Sequence, residues 1–128
     1  MSQRAVYPPG VTAADMPMRL SPAVLSHGHL FVTGMTGSAP DGSLSDDPET
    51  QFRAAFDKIA AILGAAGTGF RAVVEMTSYH IDIARHFDTF ERVQARFVHA
   101  PYPAWTAVGV AGLRRPGALV EIRVIARA

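Results

Sequence analysis

The sequence predicts an α+β domain in the order ββαβαββ, a mixed sheet with two helices on one face. Three observations predict it: two stretches with apolar residues at helical spacing, strand-like runs around them, and connections long enough for right-handed parallel crossovers. Two helices cover only one face of such a sheet. The final strands are nevertheless apolar at both parities, with Trp105, Ala107, Gly109 and Ala111 on one side and Thr106, Val108 and Val110 on the other. A strand apolar on both sides is expected to be buried on both. The uncovered face should therefore pack against other copies, and a ring of subunits is the simplest closed solution.

Residues 1–15 carry Pro8-Pro9-Gly10 and read as an extended or mobile arm ahead of a single domain over 16–128. Met18 to Leu25 reads as a first strand, His27-Gly28-His29 as a turn, and Leu30 to Met35 as the second strand of a hairpin. Gly37 to Asp47 is a loop of Gly, Ser, Asp and Pro.

The first helix is announced by Asp47 as N-cap, by Pro48 at N1 and by Glu49 at the positive end of the helix dipole. Phe52, Phe56, Ile59 and Leu63 form one apolar stripe, and Gly64 and Gly67 supply the stop. Val73 to Ile83 reads as a strand. A second helix then places Phe87, Phe90, Val93 and Phe97 on one face, ended by Pro101 and Pro103. Two strands, joined through Arg114-Arg115-Pro116-Gly117, complete the chain. The second of these holds a lone acid, Glu121, between Val120 and Ile122.

Composition narrows the function. At 128 residues, 48% apolar and only 18% charged, the chain makes one core and has little polar surface with which to cover itself. A net charge of +1 gives no field suited to a nucleic-acid backbone. The absence of cysteine excludes disulfides, thiolate catalysis and cysteine metal sites. No apolar run approaches the ~18–20 residues that span a bilayer, and the N-terminus has no apolar signal core. A soluble, cytoplasmic protein with no membrane or nucleic-acid partner is expected.

The segments LFVTGMTG, QFRAAFDKIAAILGAAG, VVEMTSYHID, FDTFERVQARF, PAWTAV and LVEIRVIA occur in an order that resembles the Rid (YjgF-like) family. PYPAWTAVGV together with TSYH looks most like its YjgH-type branch. The resemblance implies a chorismate-mutase-like fold, a homotrimeric barrel and clefts between subunits. In the best-understood branch it also implies hydrolysis of reactive imines and enamines to ammonia and a keto acid. Carried over position by position, a Tyr of that branch falls on Leu20, a Ser on Thr33 before Gly34, an Asn on Glu91 and an anchoring Arg on Trp105. Only the acid is unchanged, as Glu121.

The missing arginine has physical weight. A guanidinium grips a carboxylate through two charge-assisted hydrogen bonds, whereas indole offers one neutral donor and a π face. Loss of such a contact costs ~2–5 kcal/mol where the charge is buried. Glu91 would further repel an anion, so the site is expected to prefer a neutral, aromatic or cationic ligand over an amino-acid-derived imine.

Each candidate residue has a plainer reading beside the functional one. Glu121 can hold or move a proton, or position a water, if its face lines a cleft; otherwise it is a structural acid paired with Arg123 or Arg127. Trp105 is a ligand contact or an interface aromatic. Thr33 and Thr106 are donors to a ligand or ordinary strand threonines. His80 is an acid–base group or a satisfied core histidine. Arg114 and Arg115 stand in for the lost anchor or are simply solvated. His27-Gly28-His29 reads as a solvated turn, and no metal site or cofactor is expected.

The expectation is a homotrimer binding a small metabolite in clefts lined by Thr33, Gly34, Trp105, Thr106 and Glu121, with Leu20, Glu91 and His80 nearby. Its chemistry would be hydrolysis at an imine or enamine C–N bond, with Glu121 orienting water. The alternative is a non-catalytic small-molecule-binding or regulatory protein that kept the assembly. A ribonuclease is disfavoured by the near-zero charge and by the lack of a basic aromatic platform.

Overall fold

The computed structural model describes residues 3–128. Its elements are β1 (Arg4–Val6), β2 (Ala23–Ser26), β3 (His29–Thr36), α1 (Pro48–Ala65), β4 (Val73–His80), α2 (Ile83–Gln94), β5 (Ala104–Gly109) and β6 (Val120–Arg127). The six strands form one sheet in the order β1-β2-β3-β6-β4-β5. Neighbours are antiparallel except β4 and β5, which are parallel across the α2 crossover.

α1 begins as its residues dictate. The Asp47 carboxylate accepts from the Thr50 backbone N–H at 3.0 Å, Pro48 follows, and Gly67 turns the chain at φ +79°. Phe52, Phe56, Ile59 and Leu63 are fully buried against the sheet. Phe90 and Val93 of α2 join them, with Phe52 and Phe90 edge to face at 5.4 Å. On the sheet this core takes Leu30, Val32, Met76, Val120, Ile122 and Val124. Both helices therefore cover one face, as expected.

Four expectations about the elements need correction. Within the expected arm, Arg4–Val6 is a strand whose Val6 pairs with Ala23 and is buried; three residues are too few to display an alternation. The first long strand starts at Ala23, not Met18, because Pro22 has no N–H for a ladder. α2 ends at Gln94, ahead of its prolines, so that Phe97 turns back and stacks on Phe56 at 5.0 Å. Finally, β5 is an edge strand and is mostly exposed in the single chain, and β4 lies between it and β6.

Alternation on β6 fixes the geography of the site. Val120, Ile122, Val124 and Ala126 face the helices, while Glu121, Arg123, Ile125 and Arg127 face the open side. Registers place Tyr79 beside both Glu121 and Val108, and Thr77 beside both Arg123 and Thr106. Phe31 lies opposite Ile125.

Candidate functional site

Glu121 and Trp105 lie on opposite faces of the sheet within one subunit. Each lines its own cavity.

The Glu121 cavity is created by a defect in β3. Regular pairing with β6 breaks between Val32–Val124 and Met35–Ile122, so Thr33 and Gly34 bulge. Gly34 lies directly over the acid: a methyl group there would come within 2.5 Å of Glu121 Oε2. Only glycine lets the carboxylate occupy that place. Thr33 is committed elsewhere, its hydroxyl donating to the Ser21 carbonyl at 2.6 Å. The cavity measures about 170 Å³ and is lined by Gly34, Glu121, Met18, Lys58, Arg114 and Arg115, among others. Glu121 is half-buried and, among the described residues, has no basic partner within 4.0 Å. The pairing with Arg123 or Arg127 is not formed; Arg127 instead donates to the Arg71 carbonyl at 3.2 Å.

The loop bearing Arg114 and Arg115 is held by a buried amide. Gln51 donates from Nε2 to the carbonyls of Ser45 and Gly117, at 2.9 and 3.1 Å, and accepts from the Leu119 N–H at 2.9 Å. Arg115 donates to the Gly42 carbonyl at 2.7 Å. The loop therefore has a fixed seat against α1.

Trp105 faces the helices. Its indole stacks on Phe87 of α2 at 5.7 Å with an interplanar angle of 8°, and Nε1 donates to Ser78 Oγ at 2.9 Å. Ser78 Oγ also lies 2.7 Å from His80 Nε2. A cavity of about 430 Å³ opens beside the indole, lined by Glu91, Gln94, Val98, His99 and Tyr102.

His80 does not reach this cavity. It is 1% exposed, meets Phe90 edge-on at 4.6 Å, and its Nδ1 has no hydrogen-bond partner. Burial pushes its pKa down to about 4, so it is a neutral core histidine that buttresses Ser78 and, through it, Trp105.

The remaining candidates separate accordingly. Glu91 is exposed beside Trp105. Thr106 is exposed on the open face, level with Thr77 and Arg123 and away from Glu121's row. Leu20 is half-buried ahead of β2, and its neighbour Met18 supplies the wall of the Glu121 cavity instead. Of the expected set, the structure brings Gly34, Arg114 and Arg115 to Glu121. Glu91 and, through Ser78, His80 come to Trp105.

Lys58, Met18 and Ser78 were not singled out by the sequence reading. Lys58 left a signal, as the only lysine among 12 basic residues.

A family model described as endoribonuclease L-PSP matches residues 12–128. The chain belongs to this family, the YjgF/Rid proteins. It is 41% identical over 128 residues to the RutC family protein YjgH of Escherichia coli K12, covering 99% of this chain and 96% of that one. A solved structure of a protein YjgH matches with a TM-score of 0.88 at 41% identity, over 99% of this chain and 97% of that one. RidA from the Antarctic bacterium Psychrobacter sp. PAMC 21119 matches with a TM-score of 0.82 at 30% identity, over 88% and 91% of the two chains. A relative from Lactococcus lactis named as a regulator, AldR, is 33% identical over 121 residues, covering 91% of this chain and 94% of that one. Among the described residues of this Rid-family chain, no helix is long and apolar enough to cross a membrane.

Proposed function

We propose that this Rid-family protein hydrolyses the C–N bond of a small imine, or of an enamine after protonation to its iminium form, in the Glu121 cavity, working as a homotrimer. The observation that carries the reading is the state of Glu121: a half-buried carboxylate seated under Gly34, with no basic partner within 4.0 Å among the described residues. A partly desolvated anion of this kind attracts a protonated iminium and accepts a proton from water. In the reaction, Glu121 takes a proton from a water as its oxygen bonds to the iminium carbon. The proton then passes to the nitrogen. As the C–N bond breaks and the carbonyl forms, Glu121 takes the remaining hydroxyl proton and hands it to the departing ammonia, so that ammonium and a carbonyl compound leave. No cofactor is needed for this balance.

The trimer is supported by the open sheet face, where Phe31 and Val108 are 42% and 37% exposed. In such an assembly the β5 edge of one copy, with its Trp105 cavity, would border the Glu121 face of another. Clefts between subunits would then carry both groups.

Ammonia release from freshly generated imines tests the reaction. Glu121→Gln preserves shape but cannot accept the proton, so the rate should fall by about 10²–10⁴-fold, the usual worth of a general base. An unchanged rate in this variant would remove Glu121 from the mechanism. No release by the wild type with any imine tried would favour a second reading, a binding protein. One observation points that way: the Trp105 N–H is already spent on Ser78 rather than free for a ligand.

A further inference from the structure

The Glu121 cavity holds an excess of positive charge that the proposed hydrolysis does not use. Lys58 projects from α1, half-buried, and its Nζ donates to Ser38 Oγ at 2.8 Å. Among the described residues no carboxylate lies within 4.0 Å of this ammonium, and Glu121, on the wall of the same cavity, is not its ion-pair partner. Burial first, and the Arg115 guanidinium second, push the Lys58 pKa below its ordinary value. Two cations thus line one small cavity, one of them taken partly out of water, and the one carboxylate of its lining, Glu121, pairs with neither within 4.0 Å. Such an arrangement is costly when empty and is relieved by an anion that both can touch.

Both cations are held in place. Ser38 orients Lys58, the Gly42 carbonyl orients Arg115, and Gln51 clamps the chain that follows Arg115. Arg114 adds a third positive charge to the lining, against the single negative charge of Glu121. The volume, about 170 Å³, equals roughly five or six liquid waters, room for a small carboxylate.

We propose that Lys58 and Arg115, with Arg114 beside them, form a subsite for the carboxylate of a small ligand whose reacting carbon lies against Glu121. The anchor that the strand position Trp105 no longer supplies is rebuilt from α1 and from the loop before β6. This deepens the hydrolase reading and rests on it for the location of the reacting carbon. It also reverses the expectation that the site prefers ligands without a carboxylate. Arg115 contributes a planar fork suited to two carboxylate oxygens, and Lys58 a point charge beside it.

The test compares binding of pyruvate with binding of its neutral amide, pyruvamide, by calorimetry. The wild type should prefer pyruvate by about tenfold or more, a difference of one decade in Kd. Lys58→Met should abolish the preference, and Lys58→Arg, which keeps the charge, should retain it. Arg115→Ala lies in an exposed loop outside the core and should weaken the preference with the fold intact. Glu121→Gln should retain it, because both cations remain. Equal affinity of the wild type for the two probes, failure to bind pyruvate at millimolar concentration, or a preference surviving Lys58→Met would overturn the subsite. Loss of ammonia release with the pyruvate preference intact would instead count against the hydrolase reading alone.

Discussion

Two acid–base residues of this chain, Glu121 and His80, are both carried on strands of the sheet. Their fates differ because alternation sends them to opposite faces, Glu121 to the open side and His80 beneath α2. The parity of Glu121 was legible from Val120 and Ile122. That of His80 was not, because Tyr79 and Ser78 give its strand no clean pattern. His80 makes a pH prediction. Its folded pKa, about 4, lies below the ordinary 6.5 because burial disfavours the charged ring. Between those values the unfolded chain binds a proton that the folded chain refuses, so stability is full above pH 6.5 and is lost as pH falls toward 4. The loss should be roughly 2–3 kcal/mol, from 1.36 kcal/mol per pKa unit. Denaturant unfolding at pH 7 and pH 4.5 measures it, and His80→Leu should flatten the slope whatever its overall stability. A wild-type slope that survives in the variant would place the acid sensitivity in another group.

At the scale of elements, legibility followed locality. α1 was readable to its first residue because Asp47, Pro48 and the Phe52–Leu63 stripe are all local signals. The bulge at Thr33 and Gly34, the insertion of β4 between β5 and β6, and the seat of the loop before β6 depend on partners far along the chain, and no local pattern carries them. Gln51 shows why. In sequence it is one polar residue in the first turn of a helix; in the fold it satisfies Ser45, Gly117 and Leu119 from a buried position. Gln51→Ala leaves the partly buried Ser45 and Gly117 carbonyls and the Leu119 N–H without this partner, each hydrogen bond worth about 0.5–1.5 kcal/mol. The variant should therefore melt several degrees lower. It should also free the Arg114–Arg115 loop, which is read as faster amide exchange over residues 115–119 with that of α1's buried turns unchanged. Uniform destabilisation with no local change in exchange would mean that Gln51 serves the core and not the loop.

For the whole molecule, the open face of the sheet decides what the subunit can do alone. A shortage of polar cover, with only 18% charged residues, was visible in the composition. What composition could not show is that the two cavities end up on different faces, so that one copy cannot bring Trp105 to Glu121. If the copies join through this face, Phe31 is the side chain to attack. It is 42% exposed, pairs across to Val24 and Ile125 on the open side, and takes no place in the buried core. Burying a phenylalanine contributes about 1.5–3 kcal/mol, once per copy, and a glutamate in its place would have to be desolvated beside the same residue of its neighbours. Phe31→Glu should therefore sediment as a monomer while keeping the wild-type circular dichroism, since no core contact is lost. It should also lose ammonia release even though Glu121, Lys58 and Arg115 are untouched, because the second wall of the cleft would be gone. Monomers with full activity would show that the Glu121 cavity is complete within one chain, and the trimer would then be a matter of stability alone.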